Sequence, residues 1–311
     1  MLLFSLVGLI YSCSETKVQK EADKSPVELT VFNDFVPAYL SDIPNLDLEP
    51  RKYDNYAMGK YSLDAFVDSI NEQSIYWKIE DTTSNLIYQG FTLNGEKDGW
   101  WEVVQNKTLL SSGHFASNKK NGFWRYYKLE GESKKFVHFL NDTLVGLAQE
   151  FNADSILLSE GNYIKGLKSD YWKFNYNNGK IKEQGYFYNG YKSGLWRYFY
   201  LISSDSVLMS EGNYLNGLKS DYWKFYYDNG KIKEQGYFYN GYKSGWWQSF
   251  ELSGNLTDEA SYSANEISGF TKKYLNGVLF EEGKLFNGER RGTWKTYDEN
   301  GDIKRIHDYG K

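Results

Sequence analysis

The chain has 311 residues, 18% of them aromatic, a formal net charge of −5 and one cysteine. That length holds one large domain or two ordinary ones, the single cysteine excludes an intrachain disulfide, and the weak charge argues against nucleic acid as a main partner. The charge is uneven: residues 1–75 carry six Lys/Arg against twelve Asp/Glu, and residues 76–311 carry thirty against twenty-nine. All four prolines (Pro26, Pro37, Pro44 and Pro50) precede residue 51. The proline-free, Gly- and Tyr-rich remainder suits continuous antiparallel pairing, where proline would remove a ladder donor.

The chain starts with an apolar run, LLFSLVGLIY (2–11), that is short for a bilayer span but suits a signal-peptide core. It runs into Ile10-Tyr11-Ser12-Cys13, which resembles a bacterial lipobox, in which the cysteine is lipidated and becomes the mature N-terminus. No Lys or Arg precedes the run, and Tyr11 is bulky for its place. The expectation is a signal peptide over 1–12, a lipid on Cys13 and a solvated tether over 13–27, SETKVQKEADKSP being nearly devoid of apolar residues. A lipid on Cys13 places the protein at the bacterial envelope, the outer membrane in preference to the inner. Residues 28–75 form a cap region. Within it, SLDAFVDSINEQ predicts a short helix over about 62–73, with Ser62 as N-cap and Leu63, Phe66, Val67 and Ile70 at helical spacing.

From residue 76 the chain repeats. With Gly185 as position zero, equivalent positions fall at Gly90, Gly113, Val137, Gly161, Gly185, Gly212, Gly236, Ala260, Gly283 and His307. The intervals are 23, 24, 24, 24, 27, 24, 24, 23 and 24 residues, about nine units with partial units at the ends. Four before zero stands an aliphatic residue, among them Leu157, Ile181, Leu208 and Ile232. Two after zero is usually Phe or Tyr, such as Phe187 and Phe238; eleven after zero is usually Trp, including Trp172, Trp196, Trp223, Trp247 and Trp294. Asn-Gly recurs four and five after zero and again about half a unit later, a strong hairpin signal. Nine after zero comes Gly, or Asp at 170 and 221, residues that tolerate positive φ.

Each unit is therefore two short strands and two turns. Period two places Ile181, Glu183, Gly185 and Phe187 on a packed face, where the bare glycine leaves room for a neighbouring ring. Lys182, Gln184, Tyr186 and Tyr188 fall on the other face, with Lys233, Gln235, Tyr237 and Tyr239 as their equivalents. These eight residues are the candidate binding surface, because residues 159–194 and 210–245 agree at all but four positions, even on the variable face. Trp196 and Phe199 are three apart, so either both faces carry aromatics or a bulge realigns the strand.

The pattern G-x-[YF]-x-N-G-x-K-x-G-x-W-x-x-[YF], carried in register over about 76–311, resembles the MORN-repeat variant of bacterial proteins. The resemblance implies an all-β fold: an elongated, single-layer antiparallel meander of stacked hairpins with about nineteen strands. It also implies a scaffold that binds proteins; lipid binding is proposed for some such arrays, and some bacterial members carry an antitoxin label.

Signs of catalysis are weak. His114 and His138 occupy equivalent places two strands apart, about 10 Å, too far to share a metal. Glu281 and Glu282 point to opposite faces. Neither an enzyme nor a cofactor or metal site is expected. The first reading is a non-enzymatic, envelope-anchored scaffold for another protein. Alternatives are a cell-wall polysaccharide platform of exposed Tyr and Trp, lipid-headgroup contact through Lys168, Lys192, Lys219 and Lys243, and a cytoplasmic antitoxin-like partner if there is no signal peptide.

Overall fold

The computed structural model describes residues 74–128 and 133–310, together with the backbone of 56–58 and 61–67. Cys13, the tether and most of the cap region lie outside the described residues. Within them the chain is one antiparallel sheet of 22 strands, each paired with its sequence neighbours. At about 4.8 Å per strand the sheet runs roughly 100 Å. From Ser74 onward there are 20 strands, one more than the repeat count suggests.

The expected helix over 62–73 is not formed where the chain is described. Tyr61–Val67 is a strand, β2, pairing along all seven residues with β3, Ser74–Asp81. Residues 68–73 lie outside the described residues. Leu63, Ala65 and Val67 alternate as well as they fit a helical spacing, and the open edge of β3 offers a full ladder that an isolated short helix cannot match.

Two kinds of turn join the strands. At the first Asn-Gly site of a unit both residues have positive φ, as at Asn189 (49°) and Gly190 (83°), the geometry of a two-residue type I′ hairpin. At the second, only the glycine is left-handed. Gly179 N–H donates to Tyr176 O at 2.8 Å, which makes a longer loop on a different turn. The type I′ glycine also links successive units. Gly190 N–H donates to Lys168 O and Gly241 N–H to Lys219 O, both at 2.9 Å.

The two faces are built differently. On one, each position-zero glycine sits beneath the tryptophan eleven residues later, so close that a Cβ on Gly185 would lie under 3.0 Å from the Trp196 ring. Trp196 and Trp223 are fully buried, and Trp172, Trp247 and Trp294 nearly so. Rings alternate edge-to-face along the sheet: Trp172 to Phe187 at 6.1 Å, Phe187 to Trp196 at 5.0 Å, Trp196 to Tyr214 at 6.2 Å and Tyr214 to Trp223 at 5.2 Å. Phe238 continues the row to Trp247. Each indole N–H donates to the carbonyl one after zero, Trp196 to Tyr186 O at 2.9 Å and Trp247 to Tyr237 O at 2.9 Å. That carbonyl is available because the ladder skips two residues there: Gly185 pairs with Trp196, but Tyr186 pairs with Ser193. Gly194 (φ 64°) starts the skipped pair, and Asp170 (60°) and Asp221 (58°) hold the same left-handed place in their units. These residues belong to bulged strands rather than to turns.

A second bulge corrects the expected faces. Phe174 pairs with Glu183, but Asn175 pairs with Ile181, leaving Lys182 extra. Ile181 is thereby moved off the tryptophan face, and Leu157, Leu208 and Ile232 are displaced in the same way. All four are only partly buried. The first full unit lacks this bulge, and its aliphatic residue, Leu86, is 3% exposed. In the next unit the bulge is present and the extra residue, Leu110, is the one fully buried. The three-residue spacing of Trp196 and Phe199 has the same origin: Phe199 pairs with Leu208 on the opposite face, while Tyr198 stays with the tryptophan.

Candidate functional site

The face away from the tryptophans carries three parallel tracks. The central one is polar and joins the residues before zero to those after each tryptophan. Gln89 bonds Glu102 (3.1 Å), Arg197 pairs with Glu211 (3.1 Å), and Gln235, Gln248 and Glu259 form a chain with steps of 2.9 and 2.8 Å. Along one side the displaced aliphatic residues pair with aromatic neighbours, as in Tyr226 with Ile232 and Phe250 with Leu256. The Tyr226 hydroxyl donates to Glu211 at 3.1 Å; burial first, then Glu211, pushes its pKa up to about 12, so it stays a donor.

Along the other side run pairs of residues one after zero and one before the tryptophan. Trp100 meets His114 and Phe123 meets His138, each at 5.1 Å between ring centres. Tyr171 meets Tyr186 at 5.1 Å and Tyr222 meets Tyr237 at 5.0 Å. Leu195, Trp246 and Phe270 extend the track, each about two-fifths exposed. Tyr186 and Tyr237 are 54% exposed, and Tyr188 and Tyr239 are more exposed still at the hairpin tips. His114 and His138 each rest on a different aromatic ring.

Of the eight candidate surface residues, six are on this outward face: Gln184, Tyr186, Tyr188, Gln235, Tyr237 and Tyr239. Lys182 and Lys233 are not. As the bulged residues they turn to the tryptophan face and line cavities there with Lys168 and Lys219. Sequence reasoning passed over Tyr171, Tyr222 and Trp246, whose signal was an apolar residue just before the repeated tryptophan, and Phe270, which precedes Thr271 at the equivalent place.

The lysines seven after zero are not a solvated row. Each lies over the rings of its own unit: Lys168 is 4.6 Å from the Trp172 ring centre, Lys192 is 3.9 Å from Trp196, Lys219 is 4.5 Å from Trp223 and Lys243 is 4.1 Å from Trp247. Their stems roof the tryptophan face, over which no second layer lies among the described residues. Burial lowers the pKa of Lys192 and Lys219, and pushes that of Lys168 down to about 8, with Lys135 adding to the effect and Glu183 opposing it.

A family described as MORN repeat variant matches residues 222–240 and 290–310. The first segment contains Trp223 and the second contains Trp294. No curated protein matches the sequence. Among solved structures, a crystal structure of a GtfA/B complex is similar over 42% of this chain and 18% of that one, at 11% identity and a TM-score of 0.14. That likeness is too weak to carry an argument.

Proposed function

We propose that this chain is a non-enzymatic repeat scaffold, anchored at the bacterial envelope by a lipid on Cys13, that binds another protein through the outward face of its sheet. Arrays of this repeat type commonly bind proteins or membranes. The observation that carries the protein reading is the strip from Trp100 to Phe270. Partly or well exposed rings recur along it beside a polar track, paired at four places, while Leu195, Trp246 and Phe270 face polar partners; this is the mixture of rigid rings and hydrogen-bonding groups that protein interfaces favour.

Ring geometry favours a protein over a polysaccharide. Tyr171 and Tyr186 are tilted at 59°, and Tyr222 and Tyr237 at 64°. Each ring of a pair covers part of its neighbour, whereas stacking on a sugar needs a flat face left open.

The test substitutes Tyr171, Tyr186, Tyr222 and Tyr237 by serine together. These rings are exposed, so each change is expected to cost less than about 1 kcal/mol of stability, while capture of protein from a detergent-solubilised envelope extract falls tenfold or more. Saturable binding of the unmodified protein to purified peptidoglycan, lost in the same variant, would instead support the polysaccharide platform.

The anchor has its own test. A Cys13→Ser protein is expected to leave the membrane fraction for the soluble one; a variant that stays membrane-bound contradicts lipidation.

A further inference from the structure

The tryptophan face holds two equivalent cavities, of about 240 and 340 Å³. Lys168, Phe174, Lys182 and Ser159 line the first, with Lys135, Glu150 and Glu183; Lys219, Phe225, Lys233 and Ser210, each 51 positions after its counterpart, line the second, with Glu234. They alternate with units of a different kind. Lys192 is held by the Glu183 carboxylate at 2.8 Å and by the Tyr198 hydroxyl at 3.0 Å. Lys243 is held by Glu234 at 2.5 Å, and Arg290 by Glu281 at 2.7 Å. In each of these the carboxylate stands two before zero.

In the Lys168 and Lys219 units that place is taken by Ser159 and Ser210, and the Tyr198 position is Phe174 or Phe225. Among the described residues, Lys168 and Lys219 contact rings but have no hydrogen-bonded or ion-paired carboxylate. Their ammonium groups rest on Trp172 and Phe174, and on Trp223 and Phe225, at 4.5–4.8 Å. A cation half-removed from water by aromatic rings favours an anionic partner, because the attraction strengthens as water is excluded.

We propose that the two cavities are twin carboxylate-binding sites, and that their occupant is an acidic segment of a partner protein lying along the tryptophan face. The carboxylates of Glu183, Glu234 and Glu281 in the sister units show the chemistry that completes such a site. Lys168 and Lys219 stand four strands apart, about 19 Å, a span an extended peptide covers in about six residues. The occupant is thus a segment with Asp or Glu residues about six apart. Lys182 and Lys233, with Lys168 and Lys219 and with Lys135 in the first cavity, outweigh the Glu150, Glu183 and Glu234 carboxylates and leave each lining net positive. Glu183 and Glu234 already serve Lys192 and Lys243, so a bound carboxylate does not compete for an existing pair. The strengthened lysine-to-carboxylate contact also stabilises the ammonium form that burial disfavours.

This surface is on the opposite side from the tyrosine strip, so the two readings stand or fall separately. The test titrates the whole protein, at low salt, with a synthetic peptide bearing two glutamates six residues apart in a neutral extended spacer, and with versions having one or both glutamates replaced by glutamine. The two-glutamate peptide is expected to bind at least tenfold more tightly than the one-glutamate peptide, because the second contact is then intramolecular. Ser159→Glu with Ser210→Glu installs the internal carboxylate of the sister units; it is expected to leave the fold intact and abolish peptide binding. Lys168→Gln with Lys219→Gln is expected to abolish it also. The inference is overturned if the serine-to-glutamate variant binds as the unmodified protein does, or if affinity ignores the number of glutamates. Binding of inorganic phosphate in preference to the peptide would also overturn it. The Tyr→Ser variant, which leaves these cavities untouched, should bind the peptide normally.

Discussion

Replacing Trp196 by alanine is expected to lower unfolding stability by ~3–5 kcal/mol, the cost of a large ring removed from a packed core. Trp196 is fully buried, meets Phe187 at 5.0 Å and Tyr214 at 6.2 Å, donates to Tyr186 O and lies beneath Lys192. Its loss therefore opens a cavity, leaves a bulge carbonyl without its donor and takes the floor from the lysine roof. The damage should stay local, since each unit touches only its neighbours in such an array. Hydrogen exchange should accelerate over β12 (Ile181–Tyr188), β13 (Tyr191–Ile202) and β14 (Asp205–Leu215) before distant strands respond. By contrast Trp246, on the outward face and 38% exposed, should be replaceable by alanine at less than about half that cost. Equal costs at the two sites, read from denaturant unfolding, would mean that the faces have been assigned the wrong way round.

Gly185→Ala should cost ~1–3 kcal/mol, the range for overpacking, although alanine is normally the better residue in regular structure. The new methyl carbon would lie under 3.0 Å from the Trp196 ring, and the ring is pinned by its own hydrogen bond and by Phe187. The cause can be isolated by combining Gly185→Ala with Trp196→Ala. The double variant should be less destabilised than the sum of the two single ones, because the clash disappears with the ring. Additive losses would show that Gly185 is needed for its backbone and not for the space above it.

The repeat was legible because its framework is chemical: a glycine, a ring to cover it and turn residues that accept positive φ. Trp172, Trp196, Trp223, Trp247 and Trp294 are buried as their periodicity implied, and Asp170 and Asp221 adopt the left-handed conformation expected of them. Simple alternation failed at the bulges. One extra residue at Lys182 transfers Ile181 to the far side and brings Lys182 to the near one, and no local propensity marks it. The only trace was the three-residue spacing of Trp196 and Phe199. The strand at Tyr61–Val67 was hidden for another reason, since its sequence fits both periods and the free edge of its neighbour decides between them. The pairing of Lys192 with Glu183 and the partnering of Tyr171 with Tyr186 and of Tyr222 with Tyr237 needed the register before they could be seen.

The central claim is that the outward face meets a protein. Photo-crosslinking residues placed one at a time at Tyr186, Tyr237 and Trp246 in the full chain, in cells, test it most directly. The account expects a discrete protein adduct of one size from all three outward positions. Adducts confined to glycan, or no protein adduct from any of the three, would contradict it.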